Sequence, residues 1–146
     1  MNRLRIKSRI WSRAPEEHEE DVILTEVFAD GKLLLDFESN YLATNLLSLE
    51  RSIHQDGEFF IVTCTCGVPG CAGIREGIRV TRTDKNVHWV VRGVGETQTF
   101  YFDPEEYESA IEQGIKQLQQ LVDRYSLEVV PSYNTQVLDK RRGTHG

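Results

Sequence analysis

Residues 3–10 alternate strictly, with Arg3, Arg5, Lys7 and Arg9 set between Leu4, Ile6, Ser8 and Ile10. A period of two is the repeat of a strand, so the segment predicts a strand with one basic face and one mostly apolar face. After Pro15 the charge reverses, with Glu16, Glu17, Glu19, Glu20 and Asp21 around His18. Such an acidic loop can neutralise the basic strand locally. Two apolar runs then flank Asp30-Gly31. A type I′ turn needs positive φ at both central residues, so this pair predicts a hairpin with strands over 22–29 and 32–38. From Ser39 to Gln55 the repeat changes. Leu42 (or Tyr41), Leu46, Leu49 and Ile53 recur at helical spacing, and Ser39 or Asn40 is the expected cap.

The middle third reads as β-structure. Residues 58–66, EFFIVTCTC, are rich in β-branched and aromatic side chains. Residues 67–70, GVPG, suit a type II turn, and a strand is expected over 72–83. VHWVV at 87–91 and TQTFYF at 97–102 complete a four-stranded antiparallel meander over 58–102, with Trp89 facing the core. Asp103 as cap, Pro104 in the first helical position and Glu106 three residues after the cap start a long helix. Tyr107, Ile111, Ile115 (or Gly114), Leu118, Leu121 or Val122 and Tyr125 form its apolar stripe, and its Glu/Gln/Lys face is expected to be solvated. LEVVP at 127–131 predicts a short edge strand ended by Pro131.

The fold class is therefore α+β: an antiparallel sheet of hairpin plus four-stranded meander, with a long C-terminal helix and a shorter helix packed on it. One domain is expected over 1–130 and a mobile tail over 131–146. With 146 residues, 39% of them hydrophobic, the chain can bury one core without staples. A net charge of −6 excludes general nucleic-acid binding as the main role, because phosphates need a positive field. No apolar run reaches the length of a membrane span and no signal-peptide stretch begins the chain, so a cytoplasmic protein without membrane contact is expected.

The densest chemistry lies in CTCGVPGCAG, where Cys64, Cys66 and Cys71 meet around one turn. Three readings compete. Zinc wants four tetrahedral ligands, and three thiolates with His88 (or, second, His54) would supply them. C-x-C-x4-C is not the familiar C-x2-C pair. A reactive thiol would need a nearby base or cation, for which Arg75 and His88 are the candidates. Cysteine also packs as a small hydrophobe, so the cluster can be a tight hairpin with an incidental Cys66–Cys71 disulfide. The cofactor expectation is thus none, or zinc. Trp11, Arg5, Arg9 and Arg79 are the candidates for contacting a partner, with Arg75, Arg82 and Arg92 adding charge near Arg79. No phosphate loop, dinucleotide fingerprint, zincin or nucleophile-elbow motif occurs.

Cys64 to Gly73, Trp89, and Phe102, Asp103 and Tyr107 together resemble a group of small uncharacterised bacterial proteins. That group shares a C-x-C-G-x-x-G-C-x-G turn, a strand pair with a tryptophan, and a Phe-Asp-x-x-x-Tyr helix start. The resemblance covers about residues 57–112. It implies a bacterial source and a strand-strand-strand-strand-helix order, and it carries no activity. The leading expectation is a non-enzymatic module that binds another protein. A zinc-binding domain and a thiol-dependent enzyme are the alternatives.

Overall fold

The alternating N-terminal segment forms strand β1 (Leu4–Trp11), paired along its length with antiparallel β2 (Val22–Ala29). A computed structural model describes residues 1–12, 21–34, 42–64, 76–92 and 96–143. Leu4, Ile6 and Ser8 are buried while Arg5, Lys7 and Arg9 are exposed, as alternation across a strand requires. At the hairpin turn, φ is +53° at Asp30 and +79° at Gly31, the left-handed pair of a type I′ turn. The returning strand, β3 (Lys32–Leu33), is shorter than expected. Leu34 already turns, and 35–38 lie outside the described residues.

The helix expected over 39–55 needs correction. Leu42–Thr44 form strand β4, and helix α1 spans only Leu46–Arg51. Its cap is Asn45, whose Oδ1 accepts the Ser48 N–H at 3.1 Å. Pairing of β4 with β6 (Val62–Cys64) overrides the helical spacing of Leu42 and Leu46. The run at 58–66 is also divided. Its first part is β5 (Gly57–Phe59), and the Ile61 N–H donates to the Phe59 carbonyl at 2.9 Å, a tight turn that sends β6 to a different sheet.

The meander itself is present. Strands β5, β7 (Ile78–Arg82), β8 (Val87–Val91) and β9 (Gln98–Phe102) form an antiparallel sheet in that order. Helix α2 (Pro104–Arg124) follows, with the Asp103 carboxylate accepting the Glu106 N–H at 3.0 Å. Its buried stripe is Tyr107, Ile111, Gly114, Ile115 and Leu118. Strand β10 (Glu128–Val130) joins the edge of β2 in parallel.

The residues expected as a tail are structured through 143. A 3-10 turn (Ser132–Asn134) leads into helix α3 (Thr135–Gly143), with Val137 and Leu138 buried. Asn134 is fully buried and bonds across the fold: its Oδ1 accepts the Leu46 N–H and its Nδ2 donates to the Thr44 carbonyl, both at 2.9 Å. Two adjacent apolar residues make no helical stripe, so the periodicity carried no sign of this element.

One core joins the inner faces of β1, β2 and the meander to α2. Trp89, Phe102 and Tyr107 meet in it, the Trp89 and Phe102 rings edge-on at 5.0 Å between centroids. The Ser52 hydroxyl donates to the Leu49 carbonyl at 2.5 Å. Its single proton being used, Tyr107 donates to Ser52 Oγ at 2.5 Å and itself accepts the Trp89 indole N–H at 3.2 Å. Burial pushes the Tyr107 hydroxyl up to about 12. Arg82, expected in a surface basic zone, instead closes the end of α1: its guanidinium donates to the Ser52 and Ile53 carbonyls and pairs with Asp56. A cation at a helix C-terminus satisfies carbonyls that lack an intrahelical partner. Among the described residues, no helix is long and apolar enough to cross a membrane.

Candidate functional site

The site begins with the parity of β1. The Asp30 N–H donates to the Arg3 carbonyl at 2.9 Å, which makes Arg3 and Asp30 a hydrogen-bonded pair. In an antiparallel ladder such pairs alternate. Arg5, Lys7 and Arg9 therefore turn their backbone groups toward β2, and Leu4, Ile6 and Ser8 turn theirs away. Two bonds agree with this. The Asn2 N–H donates outward to the Tyr101 carbonyl at 2.8 Å, and the Ser8 N–H donates outward to Gln117 Oε1 at 2.9 Å. Between these two closures lie Leu4 and Ile6, whose outward N–H and C=O groups meet no hydrogen-bond partner among the described residues. This is an open strand edge about three residues long.

Alongside the edge runs a groove of about 1050 Å³, with Arg3, Arg5 and Gly31 on one wall and Glu105, Glu106 and Gln113 on the other. A smaller recess of about 220 Å³ continues it past Lys7 toward Gln117. Both share Leu4, Arg5, Ala110 and Gln113, so they are one trough between β1 and α2. Next to the trough α2 rests on β1 with the Gly114 backbone directly against the Ile6 side chain. A Cβ on Gly114 would sit 2.5 Å from Ile6 Cβ. The near end is fixed by Asp30, which accepts the Arg3 N–H at 2.8 Å and the Asn2 side-chain N–H at 2.6 Å. The Arg3 backbone bond first, and then the Asn2 bond, hold its carboxyl below the ordinary value.

The sequence-predicted partner residues are separated by this geometry. Arg5 lies on the trough. Arg9 is bound to Glu26 at 2.6 Å, and Lys7 sits 5.8 Å from the Phe28 ring centroid. Trp11 is half-buried against Val22, Leu24, Ala43 and Val130. Arg79 is exposed on the outer face of the meander, opposite Val90 and Glu58. His88 shares that face and stacks on Tyr101 at 4.4 Å and 5°. Its Nε2 is buried without a hydrogen-bond partner among the described residues.

Of the cysteine cluster, Cys66 and Cys71 lie outside the described residues, and Cys64 is placed only by its backbone, opposite Leu42 in β6. His88 is opposite Thr81, three residues into β7. Among the described residues, no three His, Cys, Asp or Glu side chains converge in a way that could hold a metal.

Gln113, Gln117 and Ala110 were missed by sequence reasoning, which assigned the polar face of the long helix to solvent. Gly114 was the available signal, because a glycine inside an otherwise regular helix marks a close backbone approach. No protein-family model, no curated protein and no solved structure matches this chain.

Proposed function

We propose that the protein is a non-enzymatic interaction module of a bacterial cell, which takes an extended segment of a partner protein as an added strand along β1. The observation that carries this reading is the open edge at Leu4 and Ile6, bounded by the Asn2–Tyr101 and Ser8–Gln117 bonds and fronted by the trough. Unpaired strand edges are templates for pairing, and natural proteins generally cover or charge them. Here a helix covers one end and leaves the other with room beside it. Backbone bonds from such an edge supply affinity, and the flanking side chains supply choice of partner.

The test is a photo-reactive amino acid placed at Gln113, on the trough wall, in the full-length protein inside a bacterial cell. A discrete cross-linked adduct to a second protein is expected from this position. The same group at Lys85, an exposed residue in the turn between β7 and β8, should give none. Equal adducts from both positions, or none from Gln113, would overturn the reading.

A further inference from the structure

Resting on that reading, we infer that the partner segment is short, extended and acidic on alternate residues, with uncharged or hydroxyl side chains between them. The length follows from the closures. At about 3.3 Å per residue, the open edge of about three residues, ended by the Gln117-capped Ser8, measures about 10 Å, enough for a strand of three or four residues.

The alternation follows from the two sides of the trough. A strand laid beside β1 sends every second side chain to the outer face, where Arg3 and Arg5 are exposed and Lys7 follows. The remaining side chains point to α2. There Ala110 and Gln113 form the wall. Carboxylates on that side would face Glu105 and Glu106. Opposite charges on neighbouring strands favour pairing, and like charges directly opposite disfavour it. A second copy of this chain is excluded as the preferred occupant on the same ground. Two β1 strands edge to edge would place Arg5 and Lys7 against Lys7 and Arg5. The chain is acidic overall, at −6, and Asp30, Asp103, Glu105 and Glu106 also line the trough, so its positive charge is confined to the β1 side, at Arg3, Arg5 and Lys7, and only side chains sent to that side are expected to be acidic.

The experiment titrates labelled peptides against the full chain by fluorescence anisotropy at two salt concentrations. The probes alternate glutamate with threonine or lysine with threonine, and a third glutamate peptide carries N-methyl groups on the amides that would face β1. The glutamate peptide should bind about tenfold or more tightly than the lysine peptide and weaken with salt. N-methylation should abolish binding, because it removes the ladder donors. Arg5→Glu, an exposed change whose folding circular dichroism can confirm, should reverse the preference. Equal binding of the acidic and basic peptides, or full binding of the N-methylated one, overturns the inference. So does a concentration-dependent dimer that the peptide fails to dissociate. A specific adduct at Gln113 without binding of the acidic peptide overturns this inference alone and leaves the interaction reading standing.

Discussion

Gly114→Ala should destabilise the protein by about 1–2 kcal/mol, although alanine at an exposed helical site would stabilise by about 1 kcal/mol. The added Cβ would lie 2.5 Å from Ile6 Cβ and 2.7 Å from Ile6 Cγ2. Contacts this short force a shift, and Ile6 Cβ is fixed to the backbone of a paired strand, so it cannot swing aside as the end of a flexible chain would. Helix α2 must move from β1. Gly114→Val should cost more, about 3 kcal/mol, because its branch also meets the turn below. For a chain of this size each kcal/mol lowers the melting temperature by about 2–4 °C. Ile6→Ala should not rescue Gly114→Ala, because alanine keeps the offending Cβ, whereas Ile6→Gly relieves the contact at its own cost. Differential scanning calorimetry of these four variants against the native chain decides this. An unchanged or raised melting temperature for Gly114→Ala would mean that α2 does not rest directly on β1.

Tyr107→Phe should cost about 1–3 kcal/mol with no change in packing volume to explain it. The hydroxyl it removes is the acceptor for the buried Trp89 indole N–H, which is then left without a partner. Ser52 keeps its own bond to the Leu49 carbonyl. The same hydroxyl links stability to alkaline pH. Its folded value, about 12, lies above the ordinary 10. The unfolded chain therefore loses this proton first. The contribution is complete below pH 10 and is lost as pH rises through about 12. In the folded protein the Tyr107 phenolate should appear only as pH rises through about 12. Denaturant melts at neutral and alkaline pH should show a steeper alkaline loss for the native chain than for Tyr107→Phe. Parallel losses would remove Tyr107 from the account.

The parts of this fold that the sequence announces are those where local pattern and tertiary pairing agree. Period two in β1, positive φ at Asp30-Gly31, and Asp103-Pro104 with a five-residue buried stripe in α2 all hold in the structure. Where one contact from far along the chain decides, the pattern misleads. Leu42 and Leu46 are four apart, as on a helix face, yet β6 claims the first and α1 only the second. Asn134 bonds Leu46 and Thr44 across about ninety positions, which no window reading can detect. Arg82 belongs by composition to a surface basic patch and by geometry to the end of α1. The candidate site was half legible. Its basic strand was visible, but its open edge was not, because which residues face outward depends on the pairing parity with β2.

Amide hydrogen exchange resolved by residue in the free protein tests the open edge most directly. Arg5 and Lys7 donate within the β1–β2 ladder, Ser8 donates to Gln117, and Leu4 and Ile6 face the trough. Leu4 and Ile6 should exchange about a hundredfold faster than Arg5 and Lys7, with Ser8 slow until Gln117→Ala releases it. Protection of Leu4 and Ile6 equal to that of Arg5 and Lys7 would mean that the edge is already occupied, and would contradict the account.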